Sequence, residues 1–271
     1  MNETVAPDIK MKHRVMWASG DYPSVAADVI PALGPVLVSA AGIKAGDRVL
    51  DIGAGSGNAS IPAAQAGADV VASDLTPELL EAGRRQAEGQ GLALEWREAD
   101  AEALPFVDEE FDAAISCVGI MFAPYHQESA DELVRVLRPG GSIGLINWTP
   151  EGFIGEMFGV MKPYAPPPPP GARPAPLWGN PEHVGSLFGD RVTEVDTKRE
   201  RLTVDTFGTP EEFRDFFKAS YGPTISVYSF IGDDAERAAS LDRELVELAA
   251  RHDIGGGAME WEYLLYTARR A

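Results

Sequence analysis

The sequence is short of several things, and each shortage narrows what it can do. It has one cysteine in 271 residues, Cys117, so an internal disulfide is excluded and no redox compartment is marked. It is poor in positive charge: 23 Lys and Arg stand against 42 Asp and Glu, a net charge of −19. Gripping a polyanion requires a basic footprint, and no basic run is present, so nucleic acid is not expected as a partner. No apolar run approaches the roughly 18 residues that a membrane span needs. The first eight residues lack the basic and apolar regions of an export signal, which points to a cytoplasmic protein without a membrane partner. No His, Cys or Asp cluster has metal-ligand spacing. What remains is an ordinary soluble composition, 45% hydrophobic and 24% charged, long enough for one α/β domain with additions. The expected substrate is small, and the expected state is a monomer or homodimer.

Residues 1–10 lack periodicity and read as a loose arm, followed by a short helix over 12–17. A stronger helix starts at Tyr22-Pro23-Ser24, with Val25, Val29, Leu33, Val36 and Leu37 at helical spacing and breaks expected at Pro31 and Pro35. The period then alternates. Strands are expected at 48–52, 69–73, 92–96, 111–118 and 142–147, with helices at 58–65, 76–87 and 129–137 and a turn at 138–141. Thr76, Pro77 and Glu78 mark one helix start clearly. This alternation predicts a parallel sheet covered by helices on both faces.

After Trp148 the alternation stops. Residues 152–164 are rich in Phe and Met, and 165–176 hold five consecutive prolines, read as an ordered extended loop packed over a site. Helix starts stand at Asn180 and Thr209, and 235–252 is amphipathic. Residues 191–205 read as one long strand or a strand pair, 260–268 as a closing strand, and 224–231 as either helix or strand.

The stretch Val49-Leu50-Asp51-Ile52-Gly53-Ala54-Gly55-Ser56-Gly57-Asn58 is a buried strand running into a glycine turn at a helix start, a seat for a polar small molecule. Asp74 ends the next strand and is placed to accept from ribose hydroxyls, with Leu75 beside it. Asp100 follows the third strand, where a carboxylate can accept from an adenine amine while the Ala101 N–H donates to a ring nitrogen. With Asp51 these acids suit a cofactor bearing a sulfonium and an ammonium better than a pyrophosphate. The Gly-x-Gly-x-Gly spacing also departs from the Gly-x-Gly-x-x-Gly dinucleotide fingerprint, because Asn58 stands where its last glycine would be. S-adenosylmethionine, leaving as S-adenosylhomocysteine, is therefore expected ahead of NAD.

The glycine stretch, Asp74, Asp100-Ala101-Glu102-Ala103-Leu104-Pro105-Phe106 and Leu137-Arg138-Pro139-Gly140-Gly141 together resemble the class I S-adenosylmethionine-dependent methyltransferases. The likeness is to the ubiquinone/menaquinone-biosynthesis type, a branch with many small-molecule enzymes, and it covers about residues 45–150. It implies a Rossmann-like, doubly wound sheet of seven strands in the order 3-2-1-4-5-7-6, the seventh antiparallel. Three segments follow from it: an N-terminal helical lid (1–45), a cofactor-binding core (46–150), and substrate-covering insertions that carry strands 6 and 7 (151–271). Gly53 and Gly55 would approach the methionine moiety, Cys117 would offer its carbonyl to the cofactor amine, and Trp17 in the lid would cover the cofactor. The Pro-rich insertion and the C-terminal helices lie outside the shared core, so the acceptor does not follow from the likeness.

Methyl transfer from a sulfonium needs alignment and exclusion of water, with a general base for a hydroxyl or an acidic carbon. His126, after the fourth strand, is the candidate base, against the simpler role of ordering its loop; His13 in the lid is a lesser one, and His183 and His252 read as surface residues. Cys117 follows serine rather than proline and reads as structural. Phe122, Phe153, Met157, Phe217 and Tyr221 suggest a hydrophobic pocket for an apolar or aromatic acceptor, with O-methylation favoured. The alternatives are a non-catalytic or regulatory protein that binds S-adenosylmethionine, and a nicotinamide-dependent oxidoreductase.

Overall fold

Strands that are apolar on both faces must be covered on both faces, and crossover helices supply the cover. The computed structural model describes residues 6–271, with side chains from residue 9 onward. In chain order its elements are α1 (Ala6–Ala18), α2 (Tyr22–Asp28), α3 (Leu33–Ala40), β1 (Arg48–Ile52), α4 (Ser60–Gln65), β2 (Asp69–Asp74), α5 (Pro77–Gly89), β3 (Glu95–Glu98), β4 (Phe111–Cys117), α6 (His126–Val136) and β5 (Leu137–Trp148). There follow α7 (Phe153–Met161), α8 (Pro181–Phe188), β6 (Val192–Val204), α9 (Pro210–Ser220), α10 (Gly222–Ile231), α11 (Ala235–His252), β7 (Asp253–Gly255) and β8 (Ala258–Arg270).

The sheet runs β3-β2-β1-β4-β5-β8-β6. Strands β1 to β5 pair in parallel, and β8 runs antiparallel to both β5 and β6. This is the expected Rossmann-like order, but the strand count is eight, not seven. The extra strand is β7, which folds back on β8 through Gly255, Gly256 and Gly257, all at positive φ.

Other boundaries moved for identifiable reasons. The expected loose arm is helical from Ala6, and residues 1–5 lie outside the described residues. Pro31 separates α2 from α3 as expected, but Pro35 falls in the first turn of α3, where its missing N–H costs nothing. β3 starts at Glu95 rather than residue 92, because Leu92 closes the end of α5, its N–H donating to the Ala87 carbonyl. The Arg138–Gly141 turn is absorbed into β5 as an irregularity in its pairing with β4, with Gly140 at φ +77°. Residues 224–231 are helical, and β6 is one strand.

The Pro-rich segment does not cover the site. The Arg173 N–H donates to the Pro124 carbonyl (2.9 Å) and Gly171 lies against the Tyr125 ring, so the segment docks on the loop before α6. None of its residues lines either cavity described below. The sheet order reverses between β1 and β4, and the crevice beyond their C-terminal ends is where an open α/β sheet receives a ligand.

Candidate functional site

The turn leaving β1 is built on glycine conformations. Gly53 and Gly55 have φ of +66° and +56°, and a Cβ on Gly53 would lie 2.9 Å from the Gly119 backbone. Gly119 follows β4, so two backbone turns meet at van der Waals distance above the sheet. Ser116 ties them, its hydroxyl donating to the Ile52 carbonyl (2.5 Å) and accepting from the Ile120 N–H (2.8 Å). Between them Val118 holds φ +57°, a conformation that a β-branched residue adopts only under constraint. The carboxylate of Asp74 accepts from the Gly55 N–H (2.9 Å) and the Thr76 N–H (2.8 Å), which locks the turn to the end of β2.

These turns border an open cleft beyond the ends of β1 and β4. Trp17, Gly53, Gly55, Asp74, Leu75, Asp100, Ala101 and Phe122 line it, together with Lys10, His13, Tyr22, Val118 and Gly119. Helix α1 closes one side. Lys10 pairs with Asp100 (2.7 Å) and with Glu102, and Arg14 pairs with Glu98 (2.8 Å). One oxygen of Asp100, Oδ1, takes both Lys10 and the Glu102 N–H, and among the described residues no hydrogen bond falls on Oδ2. At its other end the chain after α1 rests on the α9–α10 junction: a Cβ on Gly20 would lie 2.2 Å from the Ser220 carbonyl oxygen.

Burial sets the protonation states. It raises the Asp74 pKa, opposed by the N–H donors of Thr76 and Gly55. It lowers that of His13, helped by the positive Lys10, so His13 is neutral near pH 7.

Beside the cleft is a second, narrow cavity, a chamber lined by Tyr22, Val25, Ile30, Val118, Phe122, Trp148, Ile154, Phe217, Tyr221 and Trp261. Tyr22, Val118 and Phe122 belong to both spaces. Trp17 sits at the centre of the partition, with ring contacts to Phe122 (4.7 Å), Tyr22 (5.5 Å) and Tyr221 (5.8 Å).

Several expected site residues lie elsewhere. Asp51 is buried behind the turn, one oxygen accepting from the Ser60 hydroxyl (2.6 Å) and the other without a partner. Burial pushes its pKa up to about 7, so its negative charge is reduced near neutral pH. The Cys117 side chain points away from the cleft, its Sγ against Asn58, and burial pushes its thiol pKa up; the next two residues line the cleft. His126 is buried at the start of α6, its Nδ1 2.9 Å from Nε2 of His183 and its ring against Trp178. Burial, with His183 and Arg173 nearby, pushes its pKa down to about 3. It is packed between α6 and α8 because α6 begins three residues earlier than expected, which turns His126 inward. Phe153 and Met157 are fully buried core, Phe153 stacking on Trp261 behind the chamber. His183 and His252 are half-buried rather than surface residues.

Residues 50–145 match the methyltransferase domain family. An uncharacterized protein of Mycobacterium tuberculosis is 55% identical over 258 residues, 95% of this chain and 94% of that one. The demethylmenaquinone methyltransferase of Clavibacter sepedonicus is 44% identical over 99 residues, 36% of this chain and 40% of that enzyme, so the likeness is confined to the shared core. The chain belongs to the class I S-adenosylmethionine-dependent methyltransferases. The YcgJ protein of Bacillus subtilis has the same fold, with a TM-score of 0.59 at 16% identity over 87% of this chain and 96% of that one.

The methyltransferase's cleft fits its cofactor on its own geometry. The close approach at Gly53 and Gly119 leaves no room for side chains, so main chain faces the ligand there. Two carboxylates, Asp74 and Asp100, stand along the cleft with acceptor capacity for hydroxyl and amine donors. Among the described residues no group of three or more His, Cys, Asp and Glu is arranged to hold a metal ion, and no single helix is long and apolar enough to cross a membrane. Sequence reasoning missed Lys10, Tyr22, Val118 and Gly119. Gly119, just past an apolar strand, was a readable signal; Lys10 and Tyr22 reach the cleft only through the docking of α1 and α2.

Proposed function

We propose that this methyltransferase methylates a small apolar, aromatic acceptor at oxygen, with the acceptor held in the chamber. The observation that carries the reading is the chamber's lining: none of its ten residues is charged, and three of them also face the cleft. An apolar ring entering there gains about 25 cal/mol for each Å² removed from water. A phosphate or an ammonium would lose its hydration with no countercharge. The relative named for demethylmenaquinone supports an apolar acceptor class.

Bound S-adenosylmethionine supplies an electrophilic methyl group on a sulfonium. Gly53 and Gly55 admit its methionine end, and Asp74, with Leu75 beside it, accepts from the ribose. Oδ2 of Asp100 and the Ala101 N–H address the adenine. Residues 1–45 act as a lid, with Trp17 covering the cofactor, over the core of 46–150; residues 151–271 supply Phe217 and Tyr221 to the acceptor side, with Phe153 and Met157 behind them. The rings of Trp17, Tyr22 and Phe122 exclude water from the partition where the acceptor meets the methyl group, and holding both in line is the main catalytic contribution. No histidine lines the chamber. The acceptor oxygen is therefore one that ionises readily, as in a phenol or quinol.

The test is a panel of phenols, quinols and alkylamines incubated with S-adenosylmethionine and followed by mass. Methylation of apolar phenols or quinols, with charged amines untouched, is the expected result. Transfer to amines alone, or cofactor binding without transfer to any compound, overturns it.

A further inference from the structure

The chamber carries polar groups that the protein leaves unmatched. Tyr22 and Tyr221 touch their neighbours through their rings: Tyr22 packs on Trp17, and Tyr221 packs on Trp17 and on Phe217 (5.1 Å). Among the described residues neither hydroxyl has a hydrogen-bond partner. Burial raises the pKa of both phenols; nearby Cys117, Asp74 and Asp51 add to this for Tyr22, and Tyr22 adds to it for Tyr221. Both therefore stay protonated at neutral pH and are available as donors. A third chamber residue, Trp261, has a buried indole N–H with no partner, and an indole N–H can only donate. Of the three, the Trp261 N–H is fully enclosed, and a donor left unmatched there is costly. Three neutral donors and no charge define the complement: an oxygen that accepts.

We propose that Tyr22 and Tyr221 are specificity-determining residues that donate hydrogen bonds to an oxygen of the acceptor. The substrate class is then an apolar ring compound carrying a hydroxyl, carbonyl or phenolate oxygen, rather than a bare hydrocarbon or a cation. This rests on the reading that the chamber receives the acceptor. Tyr22 lines both the chamber and the cleft, so the oxygen it holds lies at the boundary between them. Phe217 and Trp148 supply apolar wall on the far side and orient the ring without discriminating among oxygens.

The experiment measures calorimetric binding of 1-naphthol and of naphthalene to the protein saturated with S-adenosylhomocysteine. Wild type is expected to prefer naphthol by about tenfold or more, since each neutral hydrogen bond is worth about fivefold. Tyr22→Phe and Tyr221→Phe should each reduce that preference about fivefold, and the double variant should erase it, with naphthalene affinity held within about twofold. Circular dichroism and the S-adenosylhomocysteine affinity of Tyr221→Phe report that the fold is intact, because Tyr221 does not line the cleft. Equal binding of the two probes by wild type overturns the role of the tyrosines and leaves the apolar chamber standing. If neither probe binds, the chamber reading falls and the proposal falls with it.

Discussion

The cleft and the chamber share a wall and are built in opposite ways. The cleft is made of backbone turns at strand ends, with one carboxylate at the end of β2 and another after β3. The chamber is made of side chains from α2, the end of β4, β5, α7, α9 and β8, elements spread from Tyr22 to Trp261. A backbone turn is specified locally, because only certain residues adopt its φ angles. A wall of rings is specified by packing, which many sequences satisfy. The difference teaches where each half can be damaged: the cleft through geometry, the chamber through volume.

The largest expected effect is at the cleft. A Cβ on Gly119 would lie 2.2 Å from the Gly53 carbonyl oxygen, backbone against backbone, so β1 or β4 must move. Gly119→Ala should cost more than about 5 kcal/mol, or leave no folded protein, in urea unfolding. A loss under about 1 kcal/mol would show that the two turns are not rigid. The matching change in the chamber is Phe217→Ala. Phe217 is buried, with rings at 4.6 Å (Phe213) and 5.8 Å (Trp261), and its truncation should cost about 3–5 kcal/mol. Affinity of the surviving folded fraction for S-adenosylmethionine should stay within about twofold, since Phe217 does not line the cleft. Lost cofactor affinity there would break the separation of the two spaces.

Asp51, beneath the cleft, tests the same division by pH. Its folded pKa of about 7 lies above the ordinary 3.8, so between those values the native state holds a proton that the unfolded chain has released. That stabilisation is complete below the unfolded value and is lost as pH rises through 7. Asp51→Asn cannot titrate and keeps an acceptor for Ser60. Relative to the variant, wild type should lose up to about 4 kcal/mol between pH 4 and 8, at about 1.36 kcal/mol per pKa unit. Parallel stability profiles would mean that Asp51 is ionised throughout.

The same contrast explains what the sequence made legible. The sheet order, the glycine turn, Asp74 and Asp100 could be read because each is a local pattern at a strand end. The Asp51 side chain lies one layer too deep: a strand-end pattern tells which residues are near a ligand, while alternation of side chains decides which of them face it. His126 stands away from the cleft because α6 begins at it, and its ring packs on His183 and Trp178. Tyr22 and Trp261 could not be paired from sequence at all, since more than two hundred residues separate them and only the docking of α2 and β8 around the chamber brings them together.

A smaller effect is expected at Asp74. Asp74→Ala removes the proposed ribose acceptor and should weaken S-adenosylmethionine binding at least tenfold, about 1.4 kcal/mol. It also releases the Gly55 and Thr76 N–H groups, so Asp74→Asn, which keeps acceptor oxygen, separates the ribose contact from the turn. Unchanged affinity in both variants would mean that the ribose lies elsewhere.

The smallest effect, and the sharpest for the division, is at Lys10. Helix α1 is held across the proposed adenine end by the Lys10–Asp100 contact, whose side chains are 17% and 26% exposed. A partly screened pair of this kind is worth about 0.2–1 kcal/mol. Lys10→Ala should therefore weaken cofactor binding by no more than about fivefold and leave naphthol binding in the chamber unchanged. Raising the salt from about 0.1 M to 1 M shortens the Debye length from about 10 Å to 3 Å, so wild type should lose affinity that the variant has already lost. Equal salt sensitivity in the two proteins would remove the ion pair from the closure of the cleft. Tighter cofactor binding by the variant would reverse the sign, because Lys10 would then compete with the adenine for Asp100 instead of holding α1 over it.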